Sequence, residues 1–599
     1  VSNALVPAAH DDERAPCASR RHAGLAPALI PAFTIVAGLA LLSPGSTLSA
    51  QPLEGYVWPL SAAPQQTLDF YVSGDGNPEV EFLRHMGDAN PQSMGRTSFE
   101  PSVQRTVAEP WRYGAGWSRS FSYTIPAGWP SGIYSARLST SGSVDFHIVF
   151  IVRPAPGAVS NLAVIANVNT WLAYNRWGGS GKYDEDLKPA RVSFLRPSPN
   201  TSPVGTGMNH LTRAELWVLG WLESQGRRPD VYTDLDFHNG LLDGHGYDTL
   251  VLSTHPEYWS RAMYQRLRSF LDGGGSLLYL GGNGIYENAE YSDDQTGMIF
   301  RAGVEGGPRS DALFRRLDPP MPERALLGVA TERCGVGSPH TLGDRCSKDV
   351  HGGYEVLQSD HPFFAGVATQ GEVIGEAGTN IFGDPDVAGG QASAWEVDTA
   401  TGPGASGIPC DCGIDDVPVP AEACSAISNR IALMEETIDA LENGPQGSAP
   451  SGEPLSTPTI EDLKSQLALA RPELDACRAA QGLPQGITVL ARGRNWCENG
   501  VLREATTPLD ATKRFECVGG RWQGAEMVVY NHQGGGLVFS VGSMTFGGSL
   551  VSDGRLQAVV LRVLEEAARR GGDRATAASG GGAPRARPVG RSGVTRAHP

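Results

Sequence analysis

Charge is scarce in this chain: Asp, Glu, Lys and Arg make up only 19% of its 599 residues. A basic excess is lacking too, since 48 Lys and Arg against 65 Asp and Glu leave −17. Nucleic-acid binders replace phosphate counterions with net positive surface, so that class is excluded. Apolar content of 40% excludes a wholly disordered chain. The 75 Gly and 43 Pro indicate many loops, but no G-X-Y period exists and collagen is out. No C-x-x-C pair occurs, which argues against a zinc ribbon. Also missing are G-x-S-x-G, H-E-x-x-H, G-x-x-x-x-G-K-[ST] and a G-x-G-x-x-G after a strand. Their absence removes the standard α/β-hydrolase elbow, the zincins, the P-loop and the dinucleotide fingerprint. Beyond residue 50 no apolar run is long enough to span a bilayer.

The first fifty residues read as an extension followed by an export signal. Arg20, Arg21 and His22 precede an apolar run from Gly24 to Leu42, and small residues close the segment at Ala50. The competing reading is a membrane anchor, which Pro27 and Pro31 interrupt. Cleavage after Ala50 places the protein outside the cytoplasm, periplasmic or extracellular, with no stable membrane span. Cysteine usage agrees: after Cys17 leaves with the signal, eight remain, an even number suited to disulfides in an oxidising compartment.

Periodicity divides the rest. Residues 51–155 hold short alternating runs (Thr67–Ser73, Trp117–Ile125, Ile133–Leu138, Val144–Val152) punctuated by Pro and Gly, the pattern of a β-sandwich. Residues 156–570 alternate strand, loop and helix. Leu162–Ala166, Thr249–Ser253, Ser276–Leu280 and Leu537–Val541 suit buried parallel strands. Thr212-x-x-Glu215 reads as a capping box, and Arg555–Arg569 as a closing helix. The fold class is therefore all-β plus α/β: a sandwich, then a Rossmann-like, glutamine-amidotransferase-like three-layer domain. A helical hairpin at about 410–485 interrupts it. Cys424, Ile427, Ile431, Met434, Ile438 and Leu441 form one stripe; Ile460, Leu463, Leu467, Ala470, Leu474 and Cys477 form the other. Packed antiparallel, the stripes place Cys424 beside Cys477 and predict that disulfide. Residues 571–599, rich in Gly, Ala and Arg, read as a disordered tail.

Ligands of open α/β sheets bind outside the carboxyl ends of the strands. Tyr174 follows the first strand, His255 and Glu257 another, and Asn283 a third. His255 and Glu257 are two apart, so extended backbone points both to one side. That suits a metal ligand with its neighbour, or an acid–base pair; equally it suits a helix-start carboxylate beside a satisfied histidine. Taken alone, Tyr174 is a packed aromatic, Tyr134 is sandwich core, and Asp236 caps a turn as readily as it binds anything.

Several motifs recur in order: Ala173-Tyr174-Asn175-x-Trp177-Gly178-Gly179, Ser193-Phe194-x-Arg196-Pro197, Thr233-Asp234-Leu235-Asp236, His255-Pro256-Glu257-Tyr258-Trp259, Gly281-Gly282-Asn283 and Trp395-Glu396-Val397-Asp398. Over roughly 160–400 and 525–566 the chain resembles the large subunit of N,N-dimethylformamidase. That family uses a mononuclear ferric site of two tyrosinates and one glutamate. The resemblance implies Tyr174 and Glu257 as ligands, with Tyr134, forty residues before Tyr174, as the other phenol. It implies His255, Asn283 and Glu396 as the surrounding catalytic groups.

Hard anionic oxygens suit Fe3+, and a ferric ion polarises an amide carbonyl and acidifies bound water. The expectation is an exported, iron-dependent hydrolase of small linear amides, with Glu396 as general base and then acid. Losing one oxyanion-type donor would cost on the order of 10²–10³ in rate. A homo-oligomer or a small partner subunit is left open. The runner-up is a non-catalytic binding protein for carbohydrate or a cell-surface ligand. A metal-free amidotransferase-like hydrolase ranks last, because no Cys stands at the strand end where its nucleophile belongs.

Overall fold

The computed structural model describes residues 51–580, except 77, 88–89, 141–143, 158–159, 185–188, 207–210, 302–311, 337–350, 380–390 and 495–523. Between 401 and 483 it describes only parts of two helices, at 430–438 and 460–471. The segment before residue 51, the eight cysteine side chains and the tail beyond 580 lie outside the described residues. The export signal and the Cys424–Cys477 pairing lie there as well.

The protein is mixed α and β, richer in strand than in helix. Near the N-terminus, a three-stranded sheet (Glu54–Trp58, Thr67–Ser73, Phe121–Thr124) faces a five-stranded one. The latter orders Ser61–Ala62, Phe146–Val152, Gly132–Ser139, Glu79–Arg84 and Gln92–Ser98. Alternation sorts the side chains. Leu68, Phe70 and Val72 pack with Phe82, Tyr134, Ala136, Leu138, Ile148 and Phe150 between the sheets. Ile133, Val149 and Ile151 point the other way and join a core with Trp217, Trp221 and Leu222 of the helix Leu211–Ser224. Both faces of the strand Phe146–Val152 are thus covered over Ile148–Val152, which explains the unbroken apolar run there.

The largest sheet has nine strands. Asp230–Thr233, Leu162–Ala166, Thr249–Thr254, Ser276–Gly281 and Leu537–Ser540 lie side by side and parallel. Glu526–Asn531, Thr488–Gly493, Tyr354–Val356 and Val373–Ile374 extend it antiparallel. One face packs on Leu211–Ser224 and the long C-terminal helix. The other packs on Arg261–Asp272. The first strand in sequence sits between the second and the third, so the chain reverses its winding direction there. That leaves a crevice at the carboxyl ends.

Two local expectations change. Thr212 and Glu215 do not form a capping box: Thr212 lies inside its helix, and Glu215 is buried. Its oxygens accept from Trp171 Nε1 at 2.7 Å and Asn167 N at 3.2 Å, while burial raises its pKa to about 8. The box belongs instead to Thr233 and Asp236, at the start of Asp234–His238. The last helix runs from Gly554 to Gly580, past the expected break at Gly571. Arg574 fastens the extra turns, 2.9 Å from Asp248 Oδ1 and bonded to the Tyr247 and Gly273 carbonyls. In the hairpin, Ile431, Met434, Ile438 and Leu463 bury against Ile460 and Leu467, as the two stripes require.

Candidate active site

The carboxyl ends of the parallel strands converge on His255, which is wholly buried. Its strand ends at Thr254 with φ 60°, a left-handed conformation costly for a β-branched residue. That turn swings His255 into the crevice. Nε2 then lies 3.0 Å from Glu257 Oε2 and 3.4 Å from the Tyr174 hydroxyl. Nδ1 faces the Gly282 carbonyl at 3.2 Å and Glu396 Oε2 at 3.2 Å. Tyr174 arrives on the last turn of Val168–Tyr174, the helix that follows the first parallel strand.

Glu396 comes from Ser393–Thr399, a strand outside the nine-stranded sheet that pairs with Ala330–Val336 and His351–Gly352. Gly282 brings it close: a Cβ there would fall 2.4 Å from the Glu396 carbonyl oxygen and 2.6 Å from Met544 N. Asn283 adopts φ 51° and donates its backbone N–H to Asp398 Oδ1 at 2.9 Å. Thr331 donates to Asn283 Oδ1 at 2.8 Å. The Asn283 side chain hydrogen-bonds Glu396. Glu396 Oε2, in contrast, is buried with no hydrogen bond.

Tyr134 is not part of this gathering. Its ring is buried in the sandwich, stacked on Trp129 and Phe150 at 5.1 and 5.8 Å, and its hydroxyl donates to Pro130 O at 2.6 Å. The family resemblance implies Tyr134 only through its spacing from Tyr174, whereas the alternation of its strand makes it sandwich core, and that is where it lies. Tyr183 supplies the second phenol. Its hydroxyl donates to Glu257 Oε2 at 3.3 Å and shares a short hydrogen bond with the Tyr258 hydroxyl. Its ring lies 4.9 Å from that of Tyr174. The sequence held one signal for it: Gly178 and Gly179, at φ 82° and 105°, turn the chain back after Tyr174. Beside Tyr183, Lys182 Nζ lies 2.8 Å from Glu287 Oε2 and over the Tyr258 ring.

The electrostatics follow from crowding. Burial alone would lower the pKa of His255, but Glu396, Glu257 and the Gly282 carbonyl outweigh it and raise it to about 9. Burial would raise Glu257, yet the His255 hydrogen bond and charge, with Lys182, hold it below the usual carboxylate range. Burial lifts Glu396 to about 7, with His255 opposing and Glu257 adding. Burial and the charge of Glu257 push Tyr174 and Tyr183 well above the ordinary phenol range.

This ordered set of strand-end residues coincides with a family match. A model described as N,N-dimethylformamidase beta subunit-like, C-terminal, matches residues 81–416. The chain belongs to that family. The match begins at Glu81, inside the sandwich and ahead of the first strand-end motif. Relatives named N,N-dimethylformamidase beta subunit, from Alcaligenes sp and Paracoccus aminophilus, are each 25% identical over 209 residues. The alignment covers 28% of this chain and 27% of each relative, so it spans about a quarter of their length. The solved structure of the sporulation control protein Spo0M from Bacillus subtilis overlaps 18% of this chain and 50% of its own, at 11% identity and TM-score 0.13, too slight a likeness to carry meaning. Among the described residues no group of three His, Cys, Asp or Glu is placed to hold a metal, and no helix is long and apolar enough to cross a membrane.

Proposed function

We propose that this family member hydrolyses the C–N bond of small linear amides at the crevice around His255. The observation that carries the reading is the convergence of Tyr174, Tyr183 and Glu257 on one side of that buried ring and Glu396 on the other. The parallel block, ordered second-first-third-fourth-fifth, supports a Rossmann-like reading of the sheet.

The donor set fits a ferric ion. Two phenols and a carboxylate are hard oxygens, and burial with the charge of Glu257 makes the two phenols still harder to ionise unless a cation offsets that charge. Tyr174, Tyr183 and Glu257 would hold the ion. When bound, Fe3+ supplies Lewis-acid polarisation of the carbonyl and acidification of water.

The chain's own groups do the rest. Glu396, whose Oε2 makes an ion-pair contact with His255 Nδ1 but no hydrogen bond, is a buried carboxyl with a pKa of about 7, suited to take a proton from water and return it to the departing amine. His255, held charged between two carboxylates, fixes both and keeps Glu396 from drifting further toward the neutral acid. Asn283, locked by Thr331 and Asp398, orients Glu396.

Iron-replete protein should show a tyrosinate-to-iron absorption band in the visible and release dimethylamine from N,N-dimethylformamide. No band and no amine release from iron-replete protein would defeat the reading. The relatives are named beta subunits. We therefore propose a partner subunit, which copurification of the native complex tests. Export, proposed from residues 1–50, predicts a mature chain beginning at Gln51, read by N-terminal sequencing.

A further inference from the structure

The motif Ser193-Phe194-x-Arg196-Pro197 has no partner in the chemistry above, yet Arg196 is 1% exposed. Among the described residues its hydrogen-bond partners are carbonyls, not carboxylates. Its Nη1 donates to the Trp177 and Ser180 carbonyls at 2.6 and 2.9 Å. Nη2 donates to the Asn175 carbonyl at 2.9 Å, and Nε to the Ser193 carbonyl at 3.2 Å. Three of these four carbonyls belong to residues 175–180, the turn that joins Tyr174 to Tyr183. Asn175 adds a return tie, donating through Nδ2 to Pro197 O at 2.9 Å and accepting from Trp177 N at 3.0 Å.

The turn needs such a fastener. Gly178 and Gly179 are left-handed, and Gly181 passes so near Asn175 that a Cβ there would lie 2.3 Å from its carbonyl oxygen. Glycine-rich backbone loses much conformational entropy on ordering. Tyr183 is 43% exposed, so packing holds only its inner side.

We infer that Arg196 is a positioning residue: its planar fork gathers the carbonyls of the 175–180 turn and thereby sets the separation of the Tyr174 and Tyr183 hydroxyls. The consequence for a bound ion rests on the proposed function; the tie itself does not. A lysine presents one ammonium and cannot reproduce the fork. Loss of the fork leaves three turn carbonyls buried without donors.

The test uses the full chain with Arg196→Met, and Arg196→Lys should the first fail to fold. In metal-free protein, amide hydrogen exchange in 175–183 should quicken by about 10–100-fold, with little change in 249–254. In iron-loaded protein the visible band should weaken or move while Tyr134→Phe keeps it. Unchanged exchange in 175–183, or equal acceleration throughout the chain, would overturn the inference. Wild-type protein lacking any band, with local loosening still present in the variant, would sink the iron reading and leave the role of Arg196 standing. An intact band in a variant whose turn has loosened would sever the turn from the phenol spacing and overturn the inference.

Discussion

Two regions hold tyrosine and histidine under similar burial and use them differently. In the sandwich, His85 Nε2 and His147 Nδ1 flank the Ser135 hydroxyl at 2.8 and 2.9 Å, and Tyr134 gives its proton to a carbonyl. Burial lowers His85 to about 3 and His147 to about 4, with Asp145 only partly opposing at the latter. Both rings are neutral at pH 7. At the strand ends, burial acts on His255 in the same sense, but two carboxylates within 3.2 Å reverse the outcome. Burial silences a titratable group unless an opposite charge answers it. The proposed chemistry is assigned to the region where that charge is present.

The largest test of that contrast pits tyrosine against tyrosine. Tyr174→Phe or Glu257→Gln should lower amine release by on the order of 10³-fold and remove the visible band. Tyr134→Phe should keep both, and lose only its bond to Pro130, about 1 kcal/mol of stability. Loss of iron in the Tyr134 variant, with the fold intact by circular dichroism, would return that residue to the site and break the contrast.

Glu396 gives the next effect. Glu396→Gln should cost on the order of 10²–10⁴ in kcat. In the wild type, Glu396 loses its proton as pH rises through about 7, so kcat/KM should climb across that value. The variant's profile should be flat there. A climb that survives the substitution would assign the titration to another group.

Much of this was readable beforehand, and the failures have physical causes. The strand Leu162–Ala166 agrees with its apolar run to the residue, and Thr67–Ser73 with its alternation, because burial on two faces or one leaves a direct imprint on composition. The pairing of His255 with Glu257 followed from a two-residue offset. Glu215 departs from its capping-box expectation because a local motif for a helix start has the same letters as a carboxylate reaching another element. Tyr183 is not legible in the sequence because a loop carries no period, and its place depends on Arg196, thirteen residues further on. Glu396 was identified through family likeness; nothing local marks a strand that reaches the site from outside the main sheet.

The smallest test sharpens the same contrast through stability. Unfolded chains take up a proton at histidine near 6.5, whereas folded His147 and His85 resist until about 4 and about 3. The unfolded state then binds more protons, so stability is full above 6.5 and drains as pH falls toward 3. His255 runs oppositely: with its folded pKa raised to about 9, its contribution is full below 6.5 and is lost as pH rises through 9. Melting temperatures of metal-free protein between pH 4 and 10 should show both flanks. His147→Gln should flatten the acid flank, by no more than about 1–2 kcal/mol because that ring is only half-buried and solvent screens it. His255→Gln should flatten the alkaline flank and leave the acid one alone. An acid flank that steepens in His147→Gln would mean the sandwich histidines are charged when folded, and the two regions would no longer differ in kind.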